Sequence, residues 1–265
     1  MRIGIIGACG RMGGNFVREI LTDGAFTLAG GTARAGNKNI GRDLGEISGA
    51  EKAGVNLTDN NEELVKISDA IIDFSSPEST MAVLKLTAKY KKIHVIGTTG
   101  LSDAQKKELE NAARETVIIF SPNMSIGVNV LLSITEKVAK ILDDSYDIEI
   151  LEMHHGLKVD APSGTALGLG KAAAAGRGVN LSDVERRSRD GHTGQRPSGE
   201  IGFATLRGGD VVGDHTVIFA GLGERIELTH KASSRAIYAK GALRACLWGA
   251  GKKPGLYSMR DVLED

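Results

Sequence analysis

The run Glu152-Met153-His154-His155-Gly156-Leu157-Lys158-Val159-Asp160-Ala161-Pro162-Ser163-Gly164-Thr165 gathers two imidazoles, an ammonium group and a Ser-Gly-Thr triplet into one short stretch. An imidazole with an ordinary pKa of about 6.5 carries a proton near neutrality. In an extended segment His154 and His155 face opposite ways, so the two take different roles. Ser163 is a natural N-cap for a helix through the alanine-rich stretch ending at Ala175. The first-turn amides of Gly164 and Thr165 would then point outward as an anion site sized for a carboxylate or a phosphate. Proton carriers beside an anion site suit acid catalysis on a carboxylate substrate. Two plainer accounts stay open, a metal site that lacks a suitably spaced third ligand and a histidine pair that merely ends a strand.

A second constellation opens the chain. Gly7-Ala8-Cys9-Gly10-Arg11-Met12-Gly13 follows the apolar run Ile3 to Ile6 and precedes a helical pattern. In that context Gly7 permits a tight turn, Gly10 lets backbone approach a pyrophosphate, and Gly13 lets helix and strand pack. The alternative is a turn that uses glycine only for sharpness. A dinucleotide site usually places an acidic residue about 20 residues further on, to hold the ribose hydroxyls. None occurs from Ala25 to Arg42, where Arg34, Lys38 and Arg42 stand instead. A guanidinium accommodates a 2′-phosphate by donating to its oxygens, so NADPH is expected over NADH unless the three cations are only surface charge. Cys9 reads as a small filler of the loop.

The elements that must position these groups follow from periodicity. Ile3 to Ile6, Phe26 to Ala29, Ala70 to Phe74, His94 to Ile96 and Val117 to Phe120 read as strands. Helical patterns lie between them at 15–21, 61–66, 77–90 and 102–114, two opening on Ser or Pro. Alternation of this kind means parallel βαβ units in a doubly wound, Rossmann-like sheet. Val128 to Leu142 forms one long helix with a single apolar face. Beyond it, Asp147 to Met153, Ile201 to Arg207, Val211 to Ala220 and Arg225 to Lys231 read as strands of an antiparallel meander, with Gly208-Gly209-Asp210 and Gly221-Leu222-Gly223 as turns. The charged, glycine-rich stretch 177–197 reads as a loop, and the helix 234–247 packs back on the first domain. The expected fold class is therefore α/β, with residues 1–126 completed by 236–265 as a dinucleotide domain. Residues 127–235 form an α+β domain on a mixed, largely antiparallel open sheet. The two constellations fall on different domains, so turnover needs closure, with hinges expected near 125–127 and 233–237.

Composition narrows the function further. Lys plus Arg and Asp plus Glu are 33 each in 265 residues, so no basic field exists to hold nucleic acid or an anionic membrane. Two cysteines, Cys9 and Cys246, without a CxxC exclude a disulfide scaffold and fit a reducing, cytoplasmic setting. No apolar stretch of about 18 residues occurs. Apolar residues at 41% sustain a packed core, and 35 glycines suggest backbone approaching ligand.

Taken together, the GACGRMG loop, Gly97-Thr98-Thr99-Gly100, Ser121-Pro122-Asn123-Met124-Ser125 and above all EMHHGLKVDAPSGTAL resemble the 4-hydroxy-tetrahydrodipicolinate (dihydrodipicolinate) reductase family over nearly the whole chain. That resemblance implies an NAD(P)H-dependent oxidoreductase of lysine and diaminopimelate synthesis acting on a cyclic dicarboxylate with a conjugated imine. It implies nucleotide contacts at Gly7, Ala8, Cys9, Gly10, Arg11, Met12, Ala33, Arg34, Gly97, Thr98, Thr99, Ser121, Pro122, Asn123 and Met124. Substrate contacts would be His155, Gly164 and Thr165, with His154 as proton donor or acceptor and Lys158 as a second donor, or as the charge that keeps His154 acidic. It implies no metal, and a homotetramer joined through the open sheet face. Many members carry an acidic residue where this chain has Ala33, which puts NADH use in question and favours NADPH. From sequence alone Ile226, Leu228, Val217 and Phe219 either present an apolar face to a partner sheet or are covered by the chain's own helices. Other functional classes are a different dinucleotide oxidoreductase and a nucleotide sensor without turnover. A semialdehyde dehydrogenase would need a placed nucleophilic cysteine, which neither Cys9 nor Cys246 provides.

Overall fold

Ile3, Ile5 and Ile6 follow one another closely in β1 (Arg2–Ile6), and all three are buried. A strand covered on both faces carries such a run because each side needs apolar cover. The computed structural model describes residues 1–264. From β1 the chain continues through α1 (Gly13–Thr22), β2 (Thr27–Thr32), α2 (Leu44–Ile47), β3 (Leu57–Thr58), α3 (Asn61–Ile67), β4 (Ala70–Asp73), α4 (Pro77–Lys89), β5 (Ile93–Ile96), α5 (Asp103–Ala112) and β6 (Val117–Phe120). The long helix α6 (Ile126–Ile141) leads to β7 (Asp147–His154), α7 (Gly164–Gly176), α8 (Leu181–Val184), β8 (Glu185–Arg186), β9 (Ile201–Arg207), β10 (Gly213–Ala220) and β11 (Arg225–Ala232). The chain closes with α9 (Ala236–Gly249), β12 (Gly255–Tyr257) and α10 (Met259–Glu264). It divides into two compact units, Met1–Ile126 with the segment from Arg235 onward, and Gly127–Ser234.

The first unit holds an all-parallel sheet in the order β12-β6-β5-β4-β1-β2-β3. Apolar cores lie on both of its faces. Ile3 and Ile5 pack with Phe16, Val17, Ala242 and Leu243 of α1 and α9, while Ile6 and Ile71 pack with Leu64, Val65 and Val83 of α3 and α4. Strand order reverses between β1 and β4, and in doubly wound sheets ligands bind at the carboxyl ends of the strands at such a reversal. Helix α9 returns to this unit through Gly241, where an added Cβ would lie 1.7 Å from the Met124 carbonyl oxygen.

The second unit carries a mixed sheet in the order β11-β10-β7-β9-β8. Strand β7 pairs antiparallel with β10 and parallel with β9, so the expected meander is corrected: β9 and β10 flank β7 rather than pairing with each other. The residues Gly208-Gly209-Asp210 are not a hairpin turn. They cross the end of β7, with hydrogen bonds from Gly208 N to His154 O at 2.9 Å, His155 N to Val211 O at 2.7 Å and Gly156 N to Gly209 O at 3.3 Å. One face of the sheet is covered by α6 and α7, where Val217 and Phe219 are fully buried against Leu131, Ala139, Leu169 and Ala173. These two therefore belong to the covered face. The opposite face carries Leu151, Met153, Leu206 and Ile218.

The stretch read as a loop over 177–197 contains α8 and β8 and is tied down by arginines. Arg189 bonds both carboxylate oxygens of Glu149 at 2.9 and 3.0 Å, and Arg196 reaches Asp147 at 2.5 Å and Glu149 at 3.0 Å.

Candidate active site

Helix α1 starts at Gly13 after Met12 with no side-chain cap, whereas α2, α3, α4, α5 and α7 are each capped by a side chain. The first amides of an uncapped helix, with their partial positive charge, suit a bound phosphate. Gly7 adopts φ +72°, a conformation costly for any side chain. At Gly13 a Cβ would lie 2.0 Å from the Ala8 carbonyl oxygen, so only glycine lets α1 seat this close to the loop. A cleft of about 790 Å³ opens here at the ends of β1, β2, β4 and β5. Gly7, Cys9, Gly10, Arg11, Met12, Ala33, Arg34, Gly97, Thr98 and Thr99 all line it. Its size is that of ordinary cofactor sites, and the glycine loop and uncapped helix fit a dinucleotide pyrophosphate. Ala8 is buried beneath the loop, and Ser121 to Met124 follow β6 outside this lining, with Met124 fully buried.

The cleft also includes Asp59, Asn61, Ser75, Ser76 and Ser79, which the sequence reading did not single out. Asp59 follows β3, and its arrival beside Ala33 comes from the pairing of Thr32 with Thr58 and the bond from Ala33 N to Thr58 O at 3.0 Å. Ser75 is fixed from below by buried Asp73, which accepts from its amide at 3.1 Å and its hydroxyl at 2.5 Å.

The second constellation lies at the end of β7. Period-two alternation puts Glu152 and His154 on the covered face, where both are buried. Glu152 Oε2 lies 2.5 Å from His154 Nδ1. The same carboxylate accepts from Arg207 Nη1 and Nη2 at 2.9 and 3.1 Å and from Ser163 N at 3.0 Å. Burial opposes ionisation of Glu152, but the bonds from Arg207, His154 and Ser163 outweigh it and hold the carboxyl below its ordinary value. Burial lowers the His154 pKa, Lys158 and Arg207 add to this, and Glu152 opposes it.

Lys158 Nζ is paired with both carboxylate oxygens of Asp160 at 2.7 and 2.9 Å. Ser163 caps α7 by accepting from Ala166 N at 3.1 Å, and its hydroxyl also meets His215 Nε2 at 3.0 Å. Gly164 faces open space, since an added Cβ would meet no atom within 4 Å. His155 is half-buried, and its buried Nδ1 has no hydrogen-bond partner among the described residues. Thus His154, His155, Lys158, Gly164 and Thr165 all stand between the end of β7 and the first turn of α7.

Four further groups were missed. Glu152 was legible, being two residues before His154 on an alternating strand. Asp160 stood in the same run, but nothing in its spacing marked it as the partner of Lys158. Arg207 and His215 arrive only through pairing, His154 opposite Arg207 and Glu152 opposite His215. Glu152, His154 and His215 also bring ligand-type atoms within 4.8 Å of one another, the third ligand that the sequence did not offer. The bonds of Glu152 to Arg207 and Ser163, and of His215 to Ser163, already account for this grouping.

Comparison with known proteins agrees with this arrangement. The family model described as dihydrodipicolinate reductase, N-terminus, matches residues 1–124, and that described as dihydrodipicolinate reductase, C-terminus, matches residues 127–263. The chain is 51% identical over 263 residues to a 4-hydroxy-tetrahydrodipicolinate reductase of Beijerinckia indica subsp. indica, covering 99% of this chain and 97% of that one. It is 53% identical over 259 residues to the enzyme of the same name from Dinoroseobacter shibae, covering 98% and 96%. In fold it is similar to a dipicolinate-bound dihydrodipicolinate reductase from Paenisporosarcina sp. TG-14, with TM-score 0.76, 24% identity and 99% of each chain covered. Matched in both halves by one family and at half identity by its named relatives, the chain belongs to the dihydrodipicolinate reductase family.

Proposed function

We propose that this protein is a 4-hydroxy-tetrahydrodipicolinate reductase of lysine and diaminopimelate biosynthesis, producing tetrahydrodipicolinate with NADPH as its preferred reductant. The observation that carries this reading is the single stretch from β7 to α7, in which His154 and Lys158 precede the first turn of α7 at Gly164 and Thr165. NADPH, when bound, supplies the hydride. The chain's own residues do the rest. The amides around Gly10 and the start of α1 hold the pyrophosphate, and Arg34 meets the 2′-phosphate with a forked, permanently charged donor. His155 and the amides of Gly164 and Thr165 hold substrate carboxylates at charge-assisted strength, roughly 1.5–3 kcal/mol per bond before desolvation. His154 delivers the proton that carbon needs once hydride has been added, and Lys158 stabilises the negative charge that develops beside it. Burial favours the neutral form of His154, so a bound dianion is what sustains its proton.

One observation favours a second reading, in which NADH is also used: Asp59 lines the same cleft and offers a carboxylate for ribose hydroxyls. Assembly as a homotetramer through the uncovered face of the second sheet rests on family membership and on the apolar side chains of that face. A cytoplasmic location is supported by two unpaired cysteines, and no helix among the described residues is long and apolar enough to cross a membrane.

His154→Gln and Lys158→Ala test the assignment. Each should lower kcat by roughly 10²–10⁴-fold while leaving the NADPH Kd unchanged. Turnover within twofold of wild type in both variants would refute these roles, and a nucleotide sensor would show no turnover to lose.

A further inference from the structure

We propose that Glu152 is the positioning residue for the proton-transfer step, one buried carboxylate that orients His154 and also fixes the N-terminus of α7 where the substrate carboxylate is held. This inference rests on the function proposed above and adds to it a residue that touches neither substrate nor nucleotide.

Both oxygens of Glu152 are engaged. Oε2 takes His154 Nδ1 at 2.5 Å and Arg207 Nη1 at 2.9 Å, and Oε1 takes Arg207 Nη2 at 3.1 Å and the Ser163 amide at 3.0 Å. Glu152 is 1% exposed, so water does not compete for these positions. A carboxylate held ionised is an acceptor only, and its partner nitrogen on His154 must therefore carry a hydrogen. That fixes the tautomer, leaving Nε2 as the nitrogen that gains and loses the catalytic proton. Strand β10 cooperates: a Cβ at Gly213 would lie 3.0 Å from His154 Nε2, so glycine there keeps that side of the nitrogen clear.

The same carboxylate anchors the helix. Ser163 is the N-cap of α7, and Glu152 takes its amide while the Ser163 hydroxyl caps Ala166 N. Movement of Glu152 would therefore displace the proton donor and the anion site together. Arg207 completes the brace, reaching the Asp160 carbonyl oxygen at 2.7 Å and so tying the loop that carries Lys158. Charged and titratable groups face His154 from every element around it: Glu152 on its own strand, Lys158 with its partner Asp160 from the following loop, and Arg207 from β9. From β10, His215 meets it edge to face at 5.1 Å between ring centres, and His230 of β11 acts on His215. Among these, Glu152 is the one anion bonded to the ring.

Glu152→Gln keeps the size and removes the charge. Because the donor must be protonated, activity falls as pH rises through its pKa, and removing the adjacent anion moves that limb to lower pH. The expected result is a kcat at least tenfold lower, a high-pH limb of kcat displaced by about one pH unit downward, and an unchanged NADPH Kd. Glu152→Asp, which keeps the charge, should restore the position of the limb. A variant that does not fold is bypassed by measurement on the wild-type protein, in which imidazole ¹⁵N spectra of neutral His154 should show the proton on Nδ1. A proton on Nε2, or a Glu152→Gln enzyme with the wild-type limb and kcat within twofold, would overturn the proposal. If the wild-type protein shows no turnover, the functional reading fails, while the ¹⁵N spectrum still decides the positioning role.

Discussion

Arg34 stands exposed at the edge of the nucleotide cleft beside Ala33, a position without a carboxylate. One charge-assisted contact to a 2′-phosphate corresponds to roughly ten- to a hundredfold in affinity. Arg34→Ala should therefore weaken NADPH by about that factor and leave NADH nearly unchanged, as titration calorimetry with each nucleotide would measure. Equal weakening of both would remove the 2′-phosphate role. At this scale, legibility depended on where partners come from. His154, His155, Lys158 and Ser163 were readable because they lie in one run, and Glu152 could have been read from strand alternation. Arg207, His215 and Asp59 were not, since each reaches its site across a strand pairing that local pattern does not encode.

Elements with a strong period were legible: β1, the helices 77–89 and 103–112, and the long α6 all lie close to their expected spans. Elements too short to show a period were not, including α2, β3, β12 and α10. The segment 43–55 is held by Asp43, whose carboxylate accepts from the amides of Gly45, Glu46, Ala53, Gly54 and Val55, a device invisible in hydrophobic patterning. The meander failed because Gly208-Gly209-Asp210 signals a change of direction but not which strand lies alongside. The resulting order brings His215 of β10 beneath the cap of α7. Burial pushes its pKa down to about 4 from 6.5, His154 adds to the shift, and Glu152 opposes it. A depressed histidine contributes stability that is complete above pH 6.5 and is lost as pH falls toward about 4, an effect of roughly 3 kcal/mol. Urea unfolding between those pH values should show a steep loss that His215→Gln flattens; an equally steep loss in the variant would locate the sensitivity elsewhere.

For the whole molecule, equal numbers of acidic and basic residues mean that a dianionic substrate is held by local arrangement rather than by a global field. Both families of contacts proposed here are of that kind, helix N-termini with a few cations at each. The uncovered face of the second sheet bears Leu206, 47% exposed, beside Leu151, Met153 and Ile218. An Ile218→Asp variant should sediment as a smaller species than wild type, whereas an unchanged mass would mean that assembly does not use this face. The two compact units differ in pattern, since strand and helix alternate up to residue 120 and then cease to, and α9, which has no sheet of its own, belongs to the first unit. The most direct test of the account is turnover of 4-hydroxy-tetrahydrodipicolinate by the purified protein, followed as loss of reduced-nucleotide absorbance with each nucleotide in turn. NADPH should be consumed with formation of tetrahydrodipicolinate, faster than NADH at equal concentration. Substrate and both nucleotides left unconsumed would contradict it.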